Sequence, residues 1–473
     1  MSSTLTKVRK LNLSEFFLEN CNSEFNAGII CYWLTLEFKI KVSEEQIKEA
    51  LRILFRNMDI LHMCIRKENG HYWFYKMDEE KIPLQVLKNQ SPESVFGKET
   101  NTCIDSATGP LWRATYITSD ETLKENNTFT SNILFTFHHA ISDGYTSINI
   151  CNNFLKALND VIGENVQKFY NFGELNDGHE TEELITQRTE YLKKNLEYCS
   201  EIRTMKSKFD NVKHLLTEYF PVSKDAEKKT KYIHGELNEE ITSNLIKVFK
   251  SKEISFHAGI CSVFNWVIMD ILIEKGLTDD QIELPTKHAL NLRRYWKKSS
   301  TIQLGLNVSF ISLLSKTDKN VGDNFWEYAK EFNKELKSAI ENMQGIDRFA
   351  LKNLKYTSVE PQYDDSLKVP EKVPPHPITS SFSFAPAPKT YYISSNIGDI
   401  SSILKSERDH VSIKFLSCGA SVKSTSRIAI IFHTFQGRLG YCLAYSANSG
   451  KESYANLFEV KLIKKLQFIS NSK

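Results

Sequence analysis

The amino-acid sequence predicts an α/β fold built from two halves. Strand-like apolar segments alternate with amphipathic segments, and this alternation is typical of α/β proteins. The 473 residues are enough for two domains of ordinary size. A highly charged stretch also divides the chain near its middle. We therefore expect an N-terminal half at residues 1–175, a charged crossover at 176–231 and a C-terminal half at 232–473.

The first half alternates strands with helices. The predicted elements are a strand at 30–38, a helix at 43–57, strands near Met63, Trp73 and Leu111, and a strand at 132–137. After the last strand, apolar residues recur at three- and four-residue steps from Tyr145 to Val161. This spacing predicts an amphipathic helix.

The crossover and the second half contain fewer distinct signals. Charged residues mixed with apolar ones predict one surface helix over Thr181–Lys208. The strongly charged segment 224–231 predicts a loop or linker. The other predicted elements are a helix at 239–250, a buried helix at 254–273 begun by Ser255, and a loop at 363–377.

The most informative segment is the run His-His-Ala-Ile-Ser-Asp-Gly at 138–144, which lies between the predicted strand and the amphipathic helix. A hydroxyl is a poor nucleophile until a neutral imidazole within hydrogen-bond reach takes its proton. His139 is the candidate base, and Asp143 is expected to hold the loop and the orientation of the ring. Gly144 lets the backbone leave the loop without a side-chain clash. His138 is expected to be a packed structural residue.

A His-x-x-x-Asp pair also occurs as a contact on a helix surface or as part of a metal site. A metal site needs further ligands, but the sequence has no His-Glu-x-x-His run and no Cys-x-x-Cys pair. We therefore expect no metal. A covalent mechanism is not indicated either, because the sequence has no Gly-x-Ser-x-Gly segment.

The His-His-x-x-x-Asp-Gly run resembles the signature of the chloramphenicol acetyltransferase-like superfamily. Four other segments are similar to family segments and follow in the same order, at 50–62, 108–114, 290–294 and 395–398. The superfamily includes alcohol acetyltransferases, polyketide-associated acyltransferases, plant-type acyltransferases and the condensation domains of peptide synthetases. His62 stands where condensation domains usually carry arginine, and the plant-type segment Asp-Phe-Gly-Trp-Gly is absent. The sequence therefore resembles the alcohol acetyltransferase and polyketide-associated branches most.

This resemblance implies two chloramphenicol acetyltransferase-like half-domains that form a pseudo-dimer, each an α+β two-layer sandwich. An active-site tunnel would run along their interface, with the acyl thioester and the acceptor entering from opposite faces. The family also pairs the aspartate of the signature with an arginine of the second half. That arginine would be Arg293, with Arg294 as the fallback.

The resemblance also suggests which residues donate hydrogen bonds to the negative oxygen of the tetrahedral intermediate. Asn396, in the Ser395-Asn396-Ile397-Gly398 segment, is the first candidate, and Ser395 lies beside it. The alternative is that Asn396 and its glycine neighbour only shape a turn. Ser381 and Ser383 alternate along a predicted strand, which favours a structural role for them, and they are further candidates for oxyanion or substrate binding.

Composition sets limits on location and partners. The net charge of +2 argues against nonspecific binding of nucleic acid. The nine cysteines are odd in number and mostly lie in apolar runs, which is typical of reduced core residues. The first ten residues are polar and basic, and the apolar windows 260–272 and 426–432 are short for a bilayer. We expect a cytoplasmic protein without a membrane segment, and a monomer is plausible for a pseudo-dimeric fold.

Three functional classes stay open. The leading one is an acyltransferase that moves an acetyl or short acyl group from acyl-coenzyme A to the hydroxyl of an alcohol or lipophilic metabolite. The thioester would be a co-substrate, and neither a bound cofactor nor an acyl-enzyme would be needed. The second class is a condensation-type catalyst that uses a carrier-protein thioester with an amine or alcohol acceptor. The third is a non-catalytic binding member of the family, against which the intact signature weighs.

Overall fold

Two β-sheets, one for each half of the chain, organise the computed structural model. The structure describes residues 5–123, 128–221, 229–297, 301–356, 390–422, 428–447 and 449–472. The strands are β1 (Leu5–Lys10), β2 (Ile29–Phe38), β3 (Met63–Glu68), β4 (His71–Met77), β5 (Leu84–Lys88), β6 (Trp112–Leu123), β7 (Thr128–His138), β8 (Glu174–Leu175), β9 (Thr230–Leu237), β10 (Gln281–Asn291), β11 (Gln303–Leu304), β12 (Val308–Asp318), β13 (Tyr392–Asp399), β14 (Val411–Ala420), β15 (Ile428–Phe435) and β16 (Arg438–Ser446). The α-helices are α1 (Leu13–Phe25), α2 (Glu44–Asn57), α3 (Pro92–Thr100), α4 (Gly144–Ile162), α5 (His179–Lys194), α6 (Leu196–Asn211), α7 (Leu216–Tyr219), α8 (Glu239–Ser251), α9 (Phe256–Glu274), α10 (Phe325–Glu341), α11 (Gln344–Tyr356) and α12 (Ser449–Ser470).

The first half is built around a five-stranded sheet with the order β14-β2-β7-β6-β5. Its neighbours are antiparallel except for β5 and β6. The apolar residues of α2 and α4 share one buried core with β2 and β7. Ser43 accepts a hydrogen bond from the backbone N–H of Gln46 and so fixes the start of α2. The strands and helices predicted for this half are confirmed within a few residues.

One strand of this sheet comes from the other half of the chain. β14 pairs antiparallel with β2, from Val411 opposite Phe38 to Ala420 opposite Ile30. Ile413 and Leu416 on β14 are buried in the core of the first half. The second half therefore completes the sheet of the first.

The second half is built around a six-stranded sheet with the order β12-β10-β13-β15-β16-β9. The predicted buried helix is α9, which begins where Ser255 accepts a hydrogen bond from the N–H of Ala258 at 3.3 Å. Within the described residues, α9 alone is long and apolar enough to cross a membrane, but 72% of the window that meets this test is buried inside the protein. Buried core helices meet the same criteria, so α9 is weak evidence for a membrane span.

The single surface helix predicted over Thr181–Lys208 is wrong, because α5 and α6 are separate helices that meet at Asn195. Asn195 has a non-helical backbone, with φ −119° and ψ 70°. Its backbone N–H and its side-chain amide both donate to the carbonyl of Tyr191 in the last turn of α5, at 3.1 and 2.8 Å. The predicted loop at 224–231 also needs correction at its end, because Lys231 lies in β9. Residues 222–228 and the predicted loop at 363–377 lie outside the described residues.

The two sheets and their helices confirm the predicted α/β fold of two halves. The end of the first half is joined to the second half by the parallel pairing of β8 with β11, in which Leu175 lies opposite Leu304. The boundaries drawn at residues 175 and 231 stay a prediction.

Candidate active site

His139 follows β7 directly and lies in the short turn before α4. Its backbone N–H donates to the carbonyl of Gly28 at 2.8 Å, which ties the turn to the start of β2. The ring Nδ1 is 2.7 Å from the backbone carbonyl oxygen of Ser142. A carbonyl oxygen only accepts hydrogen bonds, so Nδ1 carries the proton and Nε2 keeps its lone pair. The ring is therefore oriented as a proton acceptor.

The protonation state of His139 is set mainly by its partial burial. Burial lowers the pKa of His139 below its ordinary value, because the charged ring loses hydration. The hydrogen bond to Ser142 and the negative charge of Asp143 raise the pKa by less. The imidazole is therefore neutral at pH 7, as a general base must be.

Asp143 is almost fully buried, and its carboxylate forms hydrogen bonds with groups of α4 and of the second half. Its Oδ1 accepts the backbone N–H of Thr146 at 2.9 Å and so caps α4. Its Oδ2 accepts the backbone N–H of Asn307 at 2.9 Å and the Nη1 of Arg293 at 2.7 Å. These bonds connect the carboxylate to the start of α4 and to the second half. The hydrogen bond that orients the ring comes from Ser142, which the sequence analysis did not single out, and not from Asp143.

Arg293 links the signature to the second half. Its side chain is 11% exposed, and that of its partner Asp143 is 1% exposed. The same guanidinium donates to the carbonyls of Gln303 at 3.1 Å and Gly305 at 2.9 Å, and to the hydroxyl of Thr146 at 3.1 Å. The ion pair implied by the resemblance is therefore made by Arg293. The fallback, Arg294, is exposed.

His138 is fully buried beneath the turn. Its Nδ1 accepts the backbone N–H of Ala140 at 3.1 Å, and its Nε2 faces a carboxylate oxygen of Glu19 at 3.0 Å without hydrogen-bond alignment. The other carboxylate oxygen of Glu19 accepts the hydroxyl of Ser106 at 2.7 Å. Sequence reasoning did not find Glu19. The available signal was the polar series Glu15, Glu19 and Asn22, which shares one face of α1 and is buried.

Gly144 lies against a strand of the second half. A Cβ built on Gly144 would lie 3.4 Å from two side-chain carbons of Ile397, which belongs to β13 of the second half. A longer side chain at this position would push β13 away from the signature. Glycine therefore allows this close contact.

The segment that contains Asn396 does lie against the signature, through Ile397. The side-chain oxygen of Asn396 accepts the backbone N–H of Gly398 at 2.9 Å. This is a contact by which Asn396 shapes the turn. The register between β13 and β15 shifts between Asn396 and Gly398, and Gly398 has a φ of +88°. Ser395 pairs with Ile431 of β15. Donation from Asn396 or Ser395 to an oxyanion stays a prediction, and Ser381 and Ser383 lie outside the described residues.

A cavity of about 350 Å³ lies between the halves. Its walls include the start of α1, the turn at Gly70–Tyr72, one side of α5, and Leu306 and Val308 of the second half. His139 is not part of its described lining. Leu306 follows Gly305, which accepts a hydrogen bond from Arg293, so the cavity lies beside the ion pair. A tunnel that reaches His139 stays a prediction.

Outside the signature, the described residues contain one group that could hold a metal ion. The group is His257, Cys261 and His288, whose ligand atoms all lie within 4.8 Å of one another. Burial lowers the pKa of His257 to about 4 and that of His288 well below its ordinary value. Burial raises the pKa of the Cys261 thiol to about 12.

The sequence and the fold were compared with those of known proteins. Residues 87–361 match the family model described as alcohol acetyltransferase. No curated protein matches the sequence. Among solved structures, the epimerization domain from the third module of tyrocidine synthetase B has a TM-score of 0.65 at 12% identity, over 99% of this chain and 98% of that one.

Two further solved structures are similar over almost the whole chain. TRI3 trichothecene 15-O-acetyltransferase from Fusarium sporotrichioides has a TM-score of 0.64 at 10% identity, over 98% of this chain and 95% of that one. Polyketide synthase associated protein 5 from Mycobacterium tuberculosis has a TM-score of 0.62 at 10% identity, over 99% of this chain and 98% of that one. At these identities the likeness shows the fold alone, which is the chloramphenicol acetyltransferase-like fold that the sequence resembled.

Proposed function

Because the chain belongs to the alcohol acetyltransferase family, we propose that it moves an acetyl or short acyl group from coenzyme A to the hydroxyl of an alcohol, with His139 as the general base. One observation carries the proposal. The Nδ1 proton of His139 is held by the Ser142 carbonyl, which leaves Nε2 as a proton acceptor on a neutral ring.

The reaction needs no covalent enzyme intermediate. Nε2 of His139 takes the proton of the acceptor hydroxyl while its oxygen attacks the thioester carbonyl carbon. The carbon–sulfur bond then breaks, and the imidazolium returns the proton to the departing thiolate. The products are an ester and free coenzyme A, so protons and electrons balance. A positioned general base contributes about 10²- to 10⁴-fold, and correct placement of both substrates contributes more.

The buried ion pair between Asp143 and Arg293 stabilises the loop that carries His139. Asp143 caps α4 and accepts from Asn307, and Arg293 holds the same carboxylate from the second half. These contacts hold the carboxylate at the interface between the halves. Asp143 and Arg293 are therefore positioning residues, and His139 is the catalytic residue.

The test is release of free thiol from acetyl-, butyryl- and palmitoyl-coenzyme A with a panel of alcohols and amines. We expect acceptor-dependent release with a short acyl donor and an alcohol, and its loss in His139→Ala. His410→Ala is the matched control, because His410 packs on Gly163 at the opposite end of α4. Its activity should equal that of the native chain.

Two other results would overturn the proposal. Release that persists in His139→Ala would exclude His139 as the base. No release from any donor–acceptor pair would favour a carrier-protein thioester donor or a non-catalytic binding role.

A further inference from the structure

We propose that His257, Cys261 and His288 bind one zinc ion in the second half of the molecule, at a site separate from the signature. The three residues come from two distant segments. His257 and Cys261 are four residues apart on α9, so they lie on one face of the helix. His288 lies on β10, in the sheet that α9 covers.

The distances between the three ligand atoms match a tetrahedral zinc site. Zinc binds nitrogen at about 2.0–2.1 Å and thiolate sulfur at about 2.3 Å, so two nitrogens are about 3.3 Å apart and a nitrogen and a sulfur about 3.6 Å. Here, Nε2 of His257 is 3.2 Å from Nδ1 of His288. Sγ of Cys261 is 3.5 Å and 3.7 Å from these two nitrogens. All three edges therefore agree with one central ion.

The fourth corner of the tetrahedron is next to Ser394. Its Oγ is 3.6 Å from Sγ of Cys261, 3.5 Å from Nε2 of His257 and 2.8 Å from Nδ1 of His288. Ser394 lies opposite His288 in the pairing of β10 with β13. Either this hydroxyl or a water molecule would complete four-coordination.

The surroundings of His288 favour the form of the ring that binds metal. Nε2 of His288 is 2.9 Å from the hydroxyl of Thr286, and Nδ1 is close to the hydroxyl of Ser394. If Nε2 donates its proton to Thr286, the lone pair of Nδ1 points toward His257 and Cys261. Histidine ligands in proteins usually make such a bond through the nitrogen that does not bind the metal.

Aromatic contacts fix the two imidazole rings in place, and the ring of His257 is accessible to an ion from solvent. The ring of His257 stacks on Phe432, and the ring of His288 packs edge-on against Phe332 and Tyr392. Cys261 and His288 are buried, whereas His257 is partly exposed, so an ion can enter from the side of His257. Binding releases the Cys261 thiol proton to solvent, and the two neutral imidazoles release none.

The expected role is structural. The ion would join α9 to β10 and, through Ser394, to β13. β13 continues to Ile397, which packs on Gly144 of the signature. The site would thus stabilise the strand that contacts the signature, and it takes no part in the proposed acyl transfer. These ligands form no local sequence motif, because the third ligand is 27 residues from the nearest of the other two.

The test uses the tag-free full chain after chelator treatment, titrated first with Co²⁺ and then with Zn²⁺. We expect one equivalent of Co²⁺ to bind with a sulfur-to-cobalt charge-transfer band, and Zn²⁺ to displace it. The band should disappear in Cys261→Ala. Cys442→Ala is the matched control, since Cys442 is also buried in the same half and belongs to no such cluster among the residues that the structure describes. The control should keep the band.

A second variant protects the test against a folding defect. His257→Ala changes a partly exposed residue in the first turn of α9, and it should weaken Co²⁺ binding at least about tenfold while the far-ultraviolet circular dichroism stays native. Zinc should also raise the midpoint of thermal unfolding of the native chain and leave that of His257→Ala unchanged. Failure of the native chain to take up one equivalent would overturn the proposal. Uptake that is the same in His257→Ala would also overturn it.

Discussion

At the scale of single residues, His139 is controlled by opposing influences on its proton. Partial burial removes water from the charged form, whereas the Ser142 carbonyl and Asp143 favour that form. Burial dominates, so the pKa of His139 lies below its ordinary value of about 6.5. A base with a lowered pKa is already deprotonated at neutral pH. Protonation of the imidazole, which removes its basic function, therefore requires acidic pH.

We therefore expect kcat/KM for the acyl acceptor to be flat between pH 7 and pH 8 and to fall with unit slope only below about pH 6.5. The measurement is the pH profile of kcat/KM, with intrinsic fluorescence at each pH to show that the chain is still folded. An acidic limb with its midpoint at or above pH 7 would contradict the assignment of His139, because such a base would have a raised pKa.

Arg293 offers a second prediction at this scale. Removing one partner of a buried ion pair costs about 3–5 kcal/mol, because the other charge stays buried without compensation. Arg293→Ala leaves the carboxylate of Asp143, which is 1% exposed, buried without its ion-pair partner. We expect the free energy of unfolding to fall by about 3–5 kcal/mol, measured by denaturant unfolding, and acyl transfer to fall as the signature loop loses its support.

The neighbouring arginine supplies the control for this prediction. Arg294 is exposed and carries the same charge, so Arg294→Ala should change the free energy of unfolding by less than about 0.5 kcal/mol. If Arg293→Ala left both stability and activity unchanged, the positioning role of the pair would be excluded.

At the scale of secondary-structure elements, β14 makes the first half depend on the second. Its backbone pairs along the edge of β2, which would otherwise be an open strand edge. Its apolar residues enter the core that α2 and α4 also share. The first half therefore lacks part of its sheet and of its core unless residues 411–420 are present.

This dependence predicts a large effect from a change in β14. Leu416 is 2% exposed, so Leu416→Ala should lower the free energy of unfolding by about 2–5 kcal/mol. Lys414→Ala is the control in the same strand, because Lys414 is 51% exposed and makes a surface ion pair with Glu37 at 2.7 Å. That pair contributes less than about 1 kcal/mol. Guanidinium unfolding of both variants checks the prediction, and equal effects would contradict it.

The elements also show what a sequence can predict. Periodicity found β2, α2, β7 and α4, because each has its own pattern of apolar residues. Periodicity could not show that β14 crosses to the other sheet, since strand pairing depends on contacts between residues far apart in the chain. It also missed the break at Asn195, where one residue with a non-helical backbone separates two helices within a continuous charged pattern.

At the scale of the whole molecule, the candidate site is assembled where the two halves meet. The signature residues could be found from sequence because they are contiguous, and the resemblance supplied Arg293. The carbonyl of Ser142 and the carboxylate of Glu19 could not be found in this way. The first is a backbone group with no residue signature, and the second is a polar residue on a helix whose buried face was unknown. The cluster of His257, Cys261 and His288 likewise exists only in three dimensions.

Buried neutral histidines give the whole molecule a distinct dependence of stability on pH. Burial lowers the pKa of both His234 and His433 to about 4. In the unfolded chain each would take up a proton below about pH 6.5. Between pH 6.5 and pH 4 the unfolded state therefore binds more protons than the folded state, so stability falls as the pH falls through this window.

We expect each of these two histidines to lower the free energy of unfolding by on the order of 2 kcal/mol when the pH falls from 7 to 5. Carboxylates with ordinary pKa values of about 4 titrate mostly below this window, so the loss there reports on histidines. Guanidinium unfolding at pH 7 and pH 5 measures the loss, and His433→Gln should show a smaller one than the native chain because one titrating group is gone. An equal loss in the variant would mean that His433 takes up its proton at the same pH in the folded and unfolded states. His433 would then not be a cause of the acid sensitivity, and His234, whose pKa burial also lowers to about 4, would be the next candidate.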